Sequence, residues 1–284
     1  MGMAGSKETM RSIPGASPTP LNVYVSASSR GLAFEIARSF ALSGANVALS
    51  SRSPFHLDAA RAAIQAEAPQ VRIVTVAGDA SSVKDQEELL AALDAERFTP
   101  DIFVCSTGHP KEGTLSSLTR ADWAHELEMI LGQAAFASKK FAPAMAEKGF
   151  GRLVFLSSLY AKAPHHEFFL SSLARAGVLA LSKMVGQEYA DRGVASFVVC
   201  LGYVDTPLLR NRALGRPHDA PAPEAVDTAS WMEKYEAWAS DIPAKRIASP
   251  QELAKLVAFL ATPAADYLNG SVFSFSGGLD KGII

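Results

Sequence analysis

The sequence predicts one α/β domain built around a doubly wound, seven-stranded parallel sheet. Short runs rich in β-branched residues alternate with helical segments from residue 21 onward, as expected for strands joined by crossover helices. The runs are apolar almost throughout, which is typical of strands buried on both faces. The chain has 284 residues, 48% of them hydrophobic, and can bury the core of a single domain. Together these observations indicate a Rossmann-type fold over residues 21–284.

The strands and the first helix follow from the local pattern. The predicted strands are Asn22–Ser26, Asn46–Ser50, Val71–Val76, Ile102–Cys105, Leu153–Ser157, Ser196–Cys200 and Val272–Phe275. The first crossover helix is predicted over Leu32–Ser43. Its apolar residues Leu32, Ile36 and Phe40 recur at i, i+4 and i+8, the period of a helix packed on a sheet. Gly44 then suits the C-terminal cap.

Two segments interrupt this alternation. Residues 1–20 contain several Ser, Pro and Gly residues and lack the apolar centre of a secretory signal, so we predict a flexible tail. Residues 203–245 contain five prolines around one helical candidate, Thr228–Ala239. This segment is too long for an ordinary connection, and we predict that it forms a lid over the substrate.

Composition disfavours several classes of function. The formal net charge is −2, so the chain offers no basic excess to nucleic acid or to an anionic membrane. Cys105 and Cys200 are the only cysteines, which excludes a disulfide framework and a four-cysteine zinc site. No spacing of His, Cys, Asp and Glu is typical of a metal site, and no apolar run approaches the ~18 residues of a membrane helix. We therefore predict no nucleic-acid, metal or membrane binding and a cytoplasmic location.

The turn after the first predicted strand has the composition of a phosphate site. It is a run of small residues, Ser26–Ala33, that opens a helix, where backbone N–H groups can meet a phosphate. Ala27 and Ala33 stand where a dinucleotide fingerprint prefers glycine. Ala33 is tolerated because its position needs only close helix packing, whereas the Ala27 methyl would crowd the pyrophosphate. Alone the turn is a weak signal, since Gly31 also fits an ordinary turn.

Further motifs follow in a fixed order along the chain. They are Gly78-Asp79 after the third strand, Ser106-Thr107-Gly108 after the fourth, Ser157-Ser158 after the fifth, Leu201–Pro207 after the sixth, and Asn269-Gly270 and Gly277-Gly278 near the end. In this order they resemble the short-chain dehydrogenase/reductase (SDR) family. The resemblance covers the chain from about residue 21 to its last residues.

The resemblance implies a dinucleotide site. The residues it points to are Ser26, Ser28, Ser29, Arg30, Gly31 and Leu32 in the phosphate turn, Arg52 after the second strand, Asp79 and Ala80 near the adenine, Ser106, Thr107 and Gly108 beside the ribose, and Thr206 near the nicotinamide carboxamide. Arg52 stands where members that prefer NAD carry an acid. Arg52 and Arg30 can hold a 2′-phosphate by charge-assisted, forked contacts, so we predict NADP(H). The alternative is a pair of solvated surface arginines.

The family's catalytic residues are only partly kept. By resemblance Ser158 is the catalytic serine, Ser171 stands for the tyrosine, Arg175 for the lysine, and the asparagine position falls on Ile130. An alkyl hydroxyl is a much weaker acid than a phenol, and an arginine does not easily share its proton. The expected proton donor is therefore missing from its usual position.

Other side chains near these motifs are candidates for that proton. Tyr160, Tyr203 and the pair His165 and His166 each lie within a few residues of a motif expected to line the cleft. With Ser158, Ser171 and Arg175, the two tyrosines complete the set of catalytic candidates.

Three functions remain open from the sequence. The first is an NADP(H)-dependent oxidoreductase acting on a ketone, imine or alcohol, with Ser158 and Arg175 polarising the substrate. The second is a non-redox enzyme, such as a dehydratase, isomerase or cyclase, that uses Ser158, Ser171 and Arg175 as an oxyanion site. The third is a noncatalytic cofactor-binding subunit. In each case we expect a homotetramer or homodimer, by resemblance.

The expected substrate is a small hydrophobic molecule held under the lid. The apolar residues near the cleft that favour it are Phe168, Phe169, Leu208 and Leu209.

Overall fold

The computed structural model of the protein describes residues 20–217, 220 and 228–282. The predicted tail, apart from Pro20, lies outside the described residues, as do residues 218, 219 and 221–227 of the predicted lid.

Seven parallel strands form one sheet in the order β3-β2-β1-β4-β5-β6-β7. They are β1 (Asn22–Val25), β2 (Asn46–Ser51), β3 (Ile73–Ala77), β4 (Ile102–Cys105), β5 (Gly151–Ser158), β6 (Val194–Leu201) and β7 (Val272–Phe275). The order reverses at β1, where Val25 pairs with Leu49 of β2 on one side and with Val104 of β4 on the other. The predicted fold class is confirmed. Sheets of this kind bind ligands outside the carboxyl ends of the strands at such a reversal.

Five of the helices in the described chain begin at a Ser or Thr that caps them. The helices of the described chain are α1 (Gly31–Leu42), α2 (Pro54–Glu67), α3 (Val83–Ala95), α4 (Arg120–Leu127), α5 (Gln133–Glu147), α6 (Phe169–Tyr189), α7 (Pro207–Ala213), α8 (Thr228–Asp241) and α9 (Pro250–Leu260). A π-helical turn, Glu128–Gly132, joins α4 to α5, and a 3₁₀ turn, Leu159–Ala161, follows β5. Helices α2, α3, α4, α7 and α9 each start with a Ser or Thr whose hydroxyl accepts an N–H bond from the third helical residue.

Two hydrophobic cores lie on the two faces of the sheet. On one face α1, α2 and α9 bury Ile36, Phe40 and Val257 against the sheet. On the other face α3, α5 and α6 bury residues that include Phe141 and Val178. The predicted first helix, Leu32–Ser43, is observed one residue earlier, and Gly44 follows it with a φ of +92°. A left-handed glycine of this kind is the expected end of a helix.

Helix α6 is the longest helix of the described chain and belongs to this second core. With the 3₁₀ turn that follows it, it is long and apolar enough by composition to cross a membrane. Its buried residues Ala174, Val178 and Val185 pack in the core that covers the sheet. It is therefore the core helix of the domain.

The region predicted as a lid contains α7 and α8. Helix α8 matches the helical candidate Thr228–Ala239, whereas α7 was not predicted from the sequence. Leu209, Trp231, Ile242 and Ile247 form a third hydrophobic cluster, separate from the two cores. We call these four residues the lid cluster. That this region acts as a lid remains a prediction.

The segment after β7 is tied to the loop that follows β5. Lys162 Nζ donates to Asp280 Oδ2 at 2.6 Å and to Ser274 Oγ at 3.0 Å. The Lys162 and Asp280 side chains are 14% and 8% exposed. The ion pair thus lies largely out of solvent, next to the end of the strand that carries Ser158.

Candidate active site

A cavity of about 940 Å³ opens at the carboxyl ends of the strands. This volume is near the top of the range of about 300–1,000 Å³ for small-molecule sites. Eleven of the thirteen predicted cofactor residues line it: Ser29, Arg30, Gly31, Leu32, Arg52, Asp79, Ala80, Ser106, Thr107, Gly108 and Thr206. The sequence-based assignment therefore brings most of its residues to one cleft at the reversal of the sheet.

The turn after β1 has the geometry of an anion site. Helix α1 begins after Arg30 without a side-chain cap, and the residues of its first turn line the cavity. Its first backbone N–H groups are therefore available to a phosphate. Ala27, which also lines the cavity, has a φ of +51°, in the left-handed region that favours glycine. The alanine that departs from the fingerprint is thus strained where glycine would be relaxed.

Ser26 and Ser28 do not line the cavity, in contrast to the sequence-based assignment. Both are fully buried. Ser26 Oγ donates to the Ser106 carbonyl at 2.7 Å and accepts from its N–H at 2.9 Å, whereas Ser28 Oγ donates to the Val25 carbonyl at 2.6 Å. Their backbone N–H groups are also bonded, to Val104 and Ser50. Ser26 thus ties the end of β1 to the loop after β4, and Ser28 ties the turn to β1 and β2. Both side chains are engaged within the protein, and their assignment as cofactor contacts stays a prediction.

Arg52 lies on the cavity wall directly after β2. It is exposed, and among the described residues no hydrogen bond or ion pair engages it. Arg30 lies on the same wall. No carboxylate follows β2 at this position, so an acceptor for a free ribose hydroxyl is missing there. The local charge at this end of the cleft favours an anion.

Asp79 shapes the turn after β3. Its Oδ1 accepts from Ser81 N at 2.9 Å and from Ser81 Oγ at 2.8 Å, and its own N–H donates to Asp85 Oδ2 at 2.9 Å. This bond, followed by that from Ser82, lowers the pKa of the Asp85 carboxyl. The turn therefore presents Asp79 and Ala80 to the cavity on a fixed backbone.

Arg175 connects the predicted chemical residues to the cofactor end. Its Nε donates to Ser171 Oγ at 3.2 Å, Nη1 donates to the Leu156 carbonyl at 3.1 Å, and Nη2 donates to Thr107 Oγ1 at 3.3 Å. Ser171 is 4% exposed. Burial lowers the pKa of the Arg175 guanidinium. Arg175 thus spans from α6 to the loop after β4 and fixes the hydroxyl of Thr107 at the cavity wall.

Ser158 ends β5 and caps the short turn that follows. Its Oγ accepts the Tyr160 N–H at 3.2 Å, which leaves the hydroxyl proton available for donation. Tyr160 stacks on Phe168 with 4.6 Å between ring centroids, and His165 lies 5.5 Å from Tyr160. Burial raises the pKa of the Tyr160 phenol, so its environment does not activate it as an acid.

Tyr203, the other candidate tyrosine, belongs to the lid region. Its ring stacks on Trp238 with 5.4 Å between centroids and packs against the lid cluster. Ser158, Tyr160, Ser171, Arg175 and Tyr203 are not among the residues that line the large cavity of the described chain. The structure brings Ser171 and Arg175 into contact with each other and places the two tyrosines in separate aromatic groups.

Helix α7 contacts the loops around the cleft through Arg212. The guanidinium lies over the Phe168 ring, 5.1 Å from its centroid, and its Nη2 is 3.4 Å from Glu112 Oε1. Phe168 is 7% exposed and Leu209 is 8% exposed. Both are therefore packing residues, in contrast to the expectation that they form substrate surface, whereas Leu208 does line the cavity.

Sequence reasoning missed the cavity residues Glu126 and Gln133. Both are largely buried, and both line the cavity near the π-helical turn. Ile130, at the family's asparagine position, lies in that turn and is buried. One feature of the sequence could have indicated Glu126. It lies beside the apolar residues Trp123 and Leu127 of α4, where helical periodicity would place another apolar residue.

Cys105 and Cys200 are buried and unpaired. Burial raises the pKa of the Cys105 thiol to about 12, so it is inert at neutral pH. In the described part of the chain, no group of three or more His, Cys, Asp or Glu side chains is placed to hold a metal ion.

The sheet order and the cavity define a doubly wound α/β protein with a dinucleotide-type site. A family model described as Enoyl-(Acyl carrier protein) reductase matches residues 26–280. Galactitol 2-dehydrogenase (L-tagatose-forming) of Cereibacter sphaeroides is 31% identical over 258 residues, which are 89% of this chain and 92% of that protein. Dehydrogenase/reductase SDR family member 4 of Homo sapiens is 28% identical over 257 residues, 89% and 85% of the two chains. The protein belongs to the SDR family of oxidoreductases.

Solved structures show the same fold. L-Sorbose reductase of Gluconobacter frateurii, complexed with NADPH and L-sorbose, matches with a TM-score of 0.84 and 24% identity, over 93% of this chain and 98% of that one. The NADPH-bound short chain oxidoreductase of Pseudomonas aeruginosa PAO1, which contains an atypical catalytic center, matches with a TM-score of 0.80 and 25% identity, over 93% and 100%. The resemblance inferred from the motifs is thus confirmed.

Proposed function

We propose that the protein is an NADP(H)-dependent oxidoreductase that interconverts a small carbonyl compound and its alcohol. One observation carries the choice of cofactor: Arg52 lies on the cavity wall after β2, and no described residue engages it. In dinucleotide folds this region meets the ribose 2′ position. A guanidinium binds a phosphate there by charge-assisted, forked hydrogen bonds, whereas a free hydroxyl would lack its carboxylate acceptor.

The remaining walls fit the rest of the dinucleotide. The uncapped start of α1 suits the pyrophosphate, and Asp79 and Ala80 suit the adenine. Thr107 suits the ribose and Thr206 the nicotinamide end. NADPH, when bound, supplies the hydride. The P. aeruginosa oxidoreductase with the same fold binds NADPH, which supports the proposal.

The chain's own residues would orient and polarise the substrate. The Ser158 hydroxyl keeps a proton that it can donate to a carbonyl oxygen. Arg175 contributes positive charge near that oxygen and holds Thr107 in place. Ser171 accepts a bond from Arg175 and is too weak an acid to protonate an alkoxide.

The proton would come from another group near the cleft. Tyr160 is a poor donor because burial raises the pKa of its phenol. The His165 ring lies beside it, with 5.5 Å between the ring centroids, and an imidazole nitrogen can carry or accept a proton. Tyr203 and His166 remain candidates of the same proposal.

A non-redox reaction is the second candidate function. The contact of 3.2 Å between Arg175 Nε and Ser171 Oγ favours it, because it replaces a proton-donating pair by a fixed dipole and a permanent charge. Such a site could stabilise an oxyanion in dehydration, isomerisation or ring closure without a hydride.

The lining of the cleft also suggests what kind of substrate it holds. We propose a small substrate, in part hydrophobic, covered by residues 203–245 and in contact with Leu208. Assembly as a homodimer or homotetramer and a cytoplasmic location remain predictions, and light scattering of the purified protein tests the first of them.

Calorimetric titration with NADPH and NADH tests the proposed function directly. We expect binding with a clear preference for NADPH. The absence of binding at millimolar cofactor would contradict the proposal and favour the non-redox candidate. Full activity in both Ser158→Ala and Arg175→Ala, on a substrate found by screening, would locate the chemistry elsewhere.

A further inference from the structure

Glu126 is an acid buried in the wall of the cavity. In α4, all of whose residues are described, Glu126 is the only buried residue, with 4% of its surface exposed. It lies one residue before the end of the helix and lines the cavity together with Met129 and Gln133. A carboxylate in such a place needs partners, because burial removes its hydration.

The partners that the protein supplies satisfy one of its two oxygens. Glu126 Oε1 accepts the Lys111 N–H at 3.0 Å and lies 3.4 Å from His125 Nδ1. Oε2 is buried and has no hydrogen-bond partner among the described residues. Buried polar atoms are nearly always satisfied by protein, water or ligand groups, so this oxygen of a cavity-lining residue is a place where a ligand donor can complete the set.

The nearby cations are engaged elsewhere. Lys111 Nζ pairs with Asp122 Oδ1 at 2.8 Å. The Glu126 charge opposes the lowering of the Arg175 pKa by burial, so the two side chains are near each other. The hydrogen bonds of Arg175 nevertheless go to other groups of the protein, Thr107 among them. Among the described residues the one ion-pair contact of Glu126 is with the half-exposed His125, which is charged only when protonated. The acid therefore lacks a permanent cationic partner.

A second free acceptor lies on the same wall. Gln133, at the start of α5, is 8% exposed, and its Oε1 is buried without a partner among the described residues. This wall thus offers two unpaired acceptors. A ligand that fits it carries hydrogen-bond donors.

We propose that Glu126 recognises the substrate by binding a protonated amine, with Gln133 accepting a further hydrogen bond. An ammonium group supplies three N–H donors and the missing positive charge. The inference rests on the proposed function, since it assigns the substrate of the same cleft: a carbonyl or hydroxy compound that bears an amine. It adds a charged group to the expected small hydrophobic substrate.

Three small probes of one shape test the proposal by calorimetry. They are cyclohexylammonium, cyclohexanol and cyclohexanecarboxylate, titrated into the protein with and without NADP⁺. In the wild type we expect cyclohexylammonium to bind at least ~10-fold more tightly than either of the others. In Glu126→Gln this preference falls to about twofold or less, because the variant keeps the shape and loses the charge. Glu147→Gln, which removes one exposed acid from the other end of α5, keeps the preference.

A second variant keeps the proposal testable if Glu126→Gln fails to fold. Gln133→Glu adds a second carboxylate to the wall, and we expect it to increase the preference for cyclohexylammonium. Without ligand, Glu126→Gln should melt at or above the wild-type temperature, because the orphaned charge is removed. A residue with a purely structural role would instead lower the melting temperature and leave the order of the probes unchanged.

Several results would overturn the assignment. Equal binding of the three probes to the wild type would do so, as would an unchanged preference in Glu126→Gln. A variant that retains the preference but binds NADPH ~10-fold more weakly would assign the acid to the cofactor. Failure of the proposed function is distinguishable, because it appears as absent NADPH binding in the wild type, whatever the probes do.

Discussion

Arg175 Nε and Ser171 Oγ lie 3.2 Å apart, so the residues predicted to stand at the family's lysine and tyrosine positions are hydrogen-bonded to each other. In the tyrosine and lysine pair of the family, the cation lowers the pKa of a phenol that faces the substrate. Here the guanidinium donates its Nε–H to the buried Ser171 hydroxyl, and two further N–H groups donate to the Leu156 carbonyl and to Thr107 Oγ1. We therefore predict that Arg175 positions its neighbours rather than promoting proton transfer.

Replacing Arg175 tests this positioning role. Arg175→Met keeps most of the side-chain volume and removes the three hydrogen bonds. We expect NADPH to bind roughly 5-fold more weakly, because Thr107 loses its support at the ribose. Ser171→Ala removes one of the three acceptors and serves as the control, with a smaller effect. A lower melting temperature with unchanged NADPH affinity in Arg175→Met would assign the arginine to folding alone.

Arg52 is expected to set the choice between NADPH and NADH. In Arg52→Ala the loss of a charge-assisted contact of about 2 kcal/mol corresponds to NADPH binding weakened roughly 30-fold. NADH binding should change by less than about twofold, because the removed partner is absent from NADH. Arg61→Ala, an exposed arginine of α2 outside the cavity lining, is the matched control. Equal losses for both cofactors would remove the 2′-phosphate assignment.

Ala27 is expected to reduce both stability and cofactor affinity. A left-handed alanine costs about 1–2 kcal/mol, and the added flexibility of glycine in the unfolded chain offsets about 0.4–1 kcal/mol of this. Ala27→Gly should therefore be more stable by about 0.5–1 kcal/mol in denaturant unfolding. It should also bind NADPH more tightly, since a methyl is removed from the phosphate turn.

Arg97 supplies the control for that variant, because it has the same φ of +51° and lies outside the cavity lining. Arg97→Gly should gain stability without a change in NADPH affinity. If Ala27→Gly behaves in the same way, the methyl does not crowd the cofactor.

The ion pair between Lys162 and Asp280 predicts a specific pH dependence. The hydrogen bond from Lys162, followed by those from Ser274 and the Gly282 N–H, lowers the pKa of Asp280 to about 2. The ionised form is stabilised in the folded state, so this contribution is complete above the ordinary aspartate pKa of about 4 and is lost as the pH falls towards 2.

Asp280→Asn measures that contribution. At pH 7 we expect its melting temperature to be lower than that of the wild type by roughly 2–6 °C. The difference should shrink as the pH falls from about 4 to 2, where the wild-type carboxyl becomes neutral as well. A difference that stays constant over this range would mean that the charge of Asp280 contributes nothing.

Much of the fold was predictable, because apolar strands alternating with helices allow few arrangements other than a doubly wound sheet. Eleven of the thirteen predicted cofactor residues lie at the cavity for a related reason, since the carboxyl ends of parallel strands meet at one edge. That Ser26 and Ser28 lie outside the cavity lining could not be predicted, because a motif fixes the turn, whereas the direction of each side chain depends on how the turn closes against its neighbours. Glu126 was missed because charged residues are rarely buried, whereas in α4 the one buried residue is this acid.

The lid cluster has a consequence for how the protein could diversify. Leu209, Trp231, Ile242 and Ile247 are buried against one another and separately from the two cores that flank the sheet. Substitutions in this small unit should therefore cost the folding of the sheet little. On the prediction that this region covers the substrate, substrate preference could evolve, or be engineered, as a nearly independent trait while the cavity at the strand ends stays intact.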